Sequence, residues 1–177
     1  TYLNNFASLD TLIFTSFAPY NSLNVTAATH FGGRPILLLA FRRMFALVTL
    51  MALVNQVSGT PYVSGGDSPR GTDCSGLASW VANAATGRPI YGDRFNTGNQ
   101  ERALLARGFK YGTAPDALVI GWNNGHTAVT LPDGTAVSSG EGGGVRVGGG
   151  GAYQRQFTHH MYLPMDPQAV DGEPAPA

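Results

Sequence analysis

The distribution of apolar positions changes character near residue 59. Upstream, residues 36–54 (ILLLAFRRMFALVTLMALV) form a nearly unbroken apolar run with Arg42 and Arg43 in its middle. These 19 residues are about enough to cross a bilayer as a helix. Each mid-span arginine, however, would cost about 2.5–3.5 kcal/mol on insertion scales. As an export signal the run fares no better: 43 residues precede the stretch Met44 to Val54, and no small-x-small cleavage site follows it. A buried helix, apolar nearly all round, is the expected reading. It should end near Ser58-Gly59, with Pro61 just past the stop. Residues 1–35 sustain no period, and no element is assigned to them.

Downstream of Gly59 the apolar segments are short and punctuated. Residues 60–73 read as a loop with a turn at Gly65-Gly66. In residues 74–86, Leu77, Trp80, Val81 and Ala84 fall on one helical face, and Gly87 and Pro89 mark the end. A second short helix is predicted at 99–107. Strands are predicted at 117–122, 127–131 and 135–138. The last two are joined through Pro132-Asp133-Gly134, whose Asp-Gly pair is a hairpin signal. A final strand is expected at 157–163. Between the last two strands, residues 140–151 hold eight glycines in twelve positions and read as a flexible rim. The tail from residue 165, rich in Pro, Asp and Ala, is expected to be disordered.

Composition narrows the function. The apolar share of 43% and charged share of 12% describe a globular chain. A formal net charge of zero gives no global field that would draw it to nucleic acid or an anionic membrane. A single cysteine rules out an internal disulfide framework and any multi-cysteine metal site. His159-His160 is a poor metal pair, because adjacent strand residues point to opposite faces. A lone cysteine is more often an inert small apolar residue, so the case for Cys74 rests on its surroundings.

Those surroundings converge on nucleophilic chemistry. Asp73-Cys74-Ser75-Gly76-Leu77 lies where a loop becomes a helix. Unpaired N–H groups and the helix dipole there favour a thiolate and can hold an oxyanion; plain capping by Asp73 or Ser75 is the alternative. His126 opens a strand after a turn and is a candidate base. Tyr62, in the segment from Gly59 to Gly66, is either a buried aromatic or a donor into the cleft. A histidine base also needs its second ring nitrogen held. Ser138, twelve residues after His126, is placed for that role.

In order and spacing, these motifs resemble the NlpC family of cell-wall cysteine peptidases over about two-thirds of the chain, from Met44 to Pro164. The resemblance implies an α+β, papain-like fold with N-terminal helices packed on a small antiparallel sheet. It implies a peptidase domain at 44–164, flanked by an extension at 1–43 of unassigned role and the tail at 165–177. The residue matching Cys74 attacks the carbonyl, that matching His126 is the base, and that matching Tyr62 lines the oxyanion side. Asp73 and Ser75 match positions that contact substrate in some members. Ser138 stands where the family usually has His, Glu, Gln or Asn, and Ser139 and Glu141 lie close enough in sequence to substitute. The implied activity is peptidoglycan hydrolysis at the stem peptide, between D-glutamate and diaminopimelate or lysine, with no metal or cofactor. The implied setting is extracellular or the cell wall, or a phage virion, as a monomer without a stable membrane span. An amidase cutting between muramic acid and L-alanine, or a non-catalytic wall-binding or phage-tail module, stays open on the same fold.

Overall fold

The computed structural model describes residues 35–165, with side chains from Met44 onward. The expected extension 1–43 and tail 165–177 lie outside these residues except for the backbone of 35–43 and for Met165.

The upstream apolar run forms helix α1, Pro35–Val57. It ends at the expected Ser58-Gly59, with Gly59 in the left-handed region. It is not apolar-buried all round. Leu50, Leu53, Val54 and Val57 are buried, while Met44, Phe45 and Val48 are exposed. Among the described side chains of this helix, those of its last two turns reach the core. Among the described residues, no helix is long and apolar enough to cross a membrane.

Residues expected to be a loop carry two short strands, β1 (Asp67–Ser68) and β2 (Gly71–Thr72), paired antiparallel. Helix α2, Cys74–Ala85, follows at once and buries most of its length. Its indole at Trp80 donates to Asp67 Oδ1 at 2.7 Å, which ties the helix to that hairpin. Helix α3 spans Gln100–Leu105.

The remaining strands are β3 (Lys110–Tyr111), β4 (Ala117–Trp122), β5 (Thr127–Thr130), β6 (Ala136–Ser139), β7 (Val145–Val147) and β8 (His159–Pro164). They form one antiparallel sheet in the order β3-β8-β4-β5-β6-β7. Strands β4 to β7 are a meander, and β8 returns to the other side of β4. The Asp-Gly signal is used as expected: Gly134 takes a positive φ, and its N–H closes the turn onto Leu131 O at 2.9 Å.

Cross-strand register sorts the two faces. Ile120 stands between Val129 and Met161. With Leu118, Leu131 and Val137 these side chains meet Leu50, Val54, Leu77, Trp80 and Val81 of the helices in the main core. Val119 points the other way and, with Ala117 and Ala152, forms a smaller cluster beneath the β7–β8 connection. Coverage of both faces explains why all six residues of β4 are buried and show no polar alternation.

The glycine-rich run departs from the flexible-rim expectation. It contains a 3₁₀ turn at Glu141–Gly143 and then β7. Beyond β7 the segment before β1 is stitched on: Gly59 N–H donates to Val145 O, Val145 N–H to Thr60 O, and Tyr62 N–H to Gly143 O, at 2.8–2.9 Å. On its other side the same segment bonds β2, through Val63 N–H to Thr72 O and Thr72 N–H to Pro61 O, both at 3.0 Å. Tyr62 is therefore carried on backbone held from both sides.

Candidate active site

Asp73 caps α2 through its side chain, as its residue type and position anticipate. Its carboxylate does more. Oδ1 accepts from Gly76 N–H at 2.8 Å, Ser75 Oγ at 2.9 Å and Arg94 Nη2 at 2.7 Å. Oδ2 accepts from Gly65 N–H at 2.6 Å. Burial alone would raise its pKa, but these hydrogen bonds and the Arg94 charge outweigh it and hold the carboxyl below the usual range. Arg94 also bonds Ser75 Oγ at 3.0 Å. The two residues expected to contact substrate thus sit in a closed network with a guanidinium from 21 positions beyond Asp73, which no sequence motif marks.

Cys74 follows, buried at the head of α2. Backbone N–H groups of Thr127, Ser75 and Cys74 itself lie close enough to its Sγ to lower its pKa. The Thr127 contact depends on a fork in the sheet. Strands β5 and β6 pair at Thr130 with Ala136 and at Val129 with Val137, and the ladder stops short of Thr127. Ser139, which would be next across from Thr127, sends its hydroxyl to Thr72 O at 3.3 Å. The residues leading into α2 fill the fork, and the freed strand N–H points at the thiol. Thr127 Oγ is fixed in turn by Gln100 of α3 and by Gly121 O, both at 3.0 Å.

The thiol does not rest as the thiolate that a helix N-terminus suggests. Burial, and then the Asp73 charge, push its pKa up, and the N–H donors only partly oppose them. His126 is moved the opposite way: burial lowers its pKa, and Glu141 counters part of that shift. At neutral pH both groups are uncharged. Sequence reasoning weighed the helix dipole without the depth of the site or the adjacent carboxylate.

His126 stands one residue before β5. Its turn is set by Asn123, whose Oδ1 accepts from the N–H of both Gly125 and His126 at 2.8 and 2.9 Å. The ring stacks on buried Phe157 at 5.8 Å. A cleft of about 430 Å³ is lined by Tyr62, His126, Ser139, Gly140, Glu141 and Gly143. Tyr62 is half exposed, and its phenol pKa is raised by burial first, then by Cys74 once alkali ionises the thiol, and then by the Asp73 charge. Tyr62 therefore shares the cleft with His126 and lies near Cys74, which neighbours Thr127, the residue after His126, but does not itself line the cleft.

Ser138 behaves differently. It is fully buried, and its Oγ has no hydrogen-bond partner. Register places it across from Arg146. Continued by one residue, the β5 pairing sets it opposite Ala128, the second residue after His126. It lies on the strand beside the histidine without a bond to the ring. His159 and His160 have separate partners: the first stacks on Trp122 at 5.2 Å, and the second meets Ala152 O at 2.9 Å.

A helix that presents a thiol at its head is docked on a sheet that presents a histidine at the start of a strand, the arrangement that the sequence resemblance implies. No family model matches the chain. The structure is similar to that of the peptidoglycan hydrolase RipB from Mycobacterium tuberculosis, with a TM-score of 0.50 and 21% identity, over 70% of this chain and 66% of that one. It is also similar to the NlpC/p60 domain of the peptidoglycan hydrolase SagA, with a TM-score of 0.46 and 24% identity, over 66% of this chain and 98% of that domain. In sequence, 106 residues are 37% identical to Protein P54 of Enterococcus faecium, covering 58% of this chain. The chain spans only about a fifth of that relative, 20% of its length. The likeness to RipB establishes the fold, an α+β fold of the kind the sequence resemblance implies.

Proposed function

We propose that this chain is a peptidoglycan hydrolase of the NlpC type, a cysteine endopeptidase acting on stem peptides at the bond between D-glutamate and diaminopimelate or lysine. The observation that carries the reading is the fork between β5 and β6, where the thiol of Cys74 meets the N–H of Thr127 beside the cleft that His126 and Tyr62 line. The name of RipB, a peptidoglycan hydrolase, supports the substrate class.

In the proposed reaction the neutral imidazole of His126 takes the thiol proton as Sγ bonds to the peptide carbonyl carbon. The carbonyl oxygen becomes an oxyanion, held by the backbone N–H of Cys74 and the Tyr62 hydroxyl. Imidazolium returns the proton to the amine nitrogen as the C–N bond breaks. A water, deprotonated by His126, then cleaves the thioester and restores the thiol. Ser138 is assigned to the imidazole: a buried hydroxyl without a partner is costly, and an N–H from the ring would satisfy it. Asp73 and Ser75 are assigned to substrate through Arg94, whose place on the carboxylate a substrate ammonium would take. The setting follows from the substrate: the cell wall or its outside, with the protein as a monomer.

The test uses purified peptidoglycan and mass spectrometry of the released fragments. Cys74→Ala and His126→Ala should each abolish release, and the wild-type fragments should end at D-glutamate. Undiminished release by either variant would sink the assignment. Free intact stem peptides beginning at L-alanine would identify an amidase instead.

A further inference from the structure

A histidine that shuttles a proton through a charged state is stabilised in that state by a fixed negative charge as well as by an acceptor. Ser138 supplies no charge. The carboxylate that faces the cleft with His126 is Glu141, which the strand pattern does not mark because it lies beyond β6 in the glycine run.

Its mounting is built. Glu141 Oε2 accepts from Gly150 N–H at 2.9 Å, and Oε1 accepts from Gln154 Nε2 at 3.1 Å. The chain can wrap the carboxylate only because it lacks side chains there. A Cβ on Gly149 would lie 2.7 Å from Oε2, and one on Gly150 would collide with Oε1 and with Gln154. Gly140, just before Glu141, turns the chain at φ 120° and passes the edges of both rings; a Cβ there would stand 3.5 Å from Tyr62 Cε2 and 4.0 Å from His126 Cε1. Four consecutive glycines, 148–151, so acquire a local reason at their centre.

We propose that Glu141 is the positioning residue of His126: its clamped carboxylate supplies the negative charge that steadies the imidazole while it carries the thiol proton. This rests on the Cys74–His126 reading above. The titratable or charged groups around the cleft are Cys74 and Asp73 from the head of α2, Tyr62 from the segment before β1, and Glu141. Arg146 of β7 faces Glu141, and Arg94 bonds Asp73. Of these groups, Glu141 is the one whose charge acts on His126.

The test is Glu141→Gln in the full chain, which keeps the shape and removes the charge. Two readouts are taken. One is the NMR titration of the His126 ring, identified by its loss in His126→Asn. The other is kcat and KM for stem-peptide release across pH. The expected results are a His126 titration moved to lower pH, an acid limb of kcat/KM moved with it, and kcat lower by about 10-fold, the equivalent of one pKa unit of interaction with imidazolium. Gly150→Ala should move both readouts in the same direction by disturbing the clamp. An unchanged titration in Glu141→Gln overturns the proposal. A raised KM with unchanged kcat also overturns it, since Glu141 would then contact substrate. The titration needs no activity, so a wild-type chain that cut no peptidoglycan would refute the hydrolase reading and leave the Glu141 result standing.

Discussion

Asp73→Ala tests whether the entrance to α2 is as heavily braced as its hydrogen bonds suggest. The substitution removes the acceptor for Gly65 N–H, Gly76 N–H, Ser75 Oγ and Arg94 Nη2. Loss of the cap alone costs about 1 kcal/mol. Hydrogen bonds to a charged group contribute about 1.5–3 kcal/mol each where water is excluded. Arg94 is 24% exposed and recovers part of its loss through water, so its bond is discounted. Taking the low end for Gly65 N–H and Ser75 Oγ, the sum is about 4 kcal/mol. Urea unfolding followed through buried Trp80 and Trp122 reads it directly; with a slope of about 2 kcal/mol/M, the midpoint falls by about 2 M. Asp73→Asn keeps one acceptor oxygen and loses the charge, and should cost about half as much. The acid dependence has a fixed sign. A carboxyl whose folded pKa is lowered contributes fully above its ordinary pKa, and that contribution is lost as pH falls through the folded value. The gap between wild type and Asp73→Asn should therefore close in acid. A loss under about 1 kcal/mol for Asp73→Ala, or a gap to Asp73→Asn that is the same at neutral and strongly acid pH, would refute the reasoning.

Two further outcomes are expected. The acid limb of kcat/KM in the wild-type protein should lie below the ordinary histidine value of 6.5, because burial lowers the His126 pKa and the neutral ring is the base; a limb above that value contradicts the buried-base account. Ser138→Ala should lower kcat by about 10-fold, since it only orients the ring. A loss as deep as that of Cys74→Ala would give the hydroxyl a larger part than orientation.

What was legible in the sequence were the elements long enough to show a period. Helix α2 begins at Cys74 and strand β4 spans 117–122, as the pattern indicates, and the Asp-Gly hairpin falls between β5 and β6. Strands β1, β2, β3 and β7 are two or three residues long and display no alternation. They exist because backbone partners elsewhere hold them, as Thr60 and Gly59 hold β7. The candidate site divides in the same way. Cys74, His126 and Tyr62 were legible through local motifs. Arg94, Phe157 and Thr127 act through contacts between distant segments, so no local spacing announces them, whereas Glu141 was marked by its nearness in sequence to Ser138. The depth of the thiol is likewise a tertiary property, and it reverses the direction that the helix N-terminus alone implies.

For the proposed hydrolase, the fork between β5 and β6 ties activity to folding. Thr127 N–H is available to the thiol only when the head of α2 occupies the gap that the two strands leave. If α2 swings out, every reactive side chain remains on the chain, yet the donor, the thiol and the histidine no longer meet. The reactive centre is thus a property of the docked interface rather than of any single segment. A partly folded chain would be chemically silent, and the specific activity of a preparation would report the fraction of molecules in which helix and sheet have closed on each other.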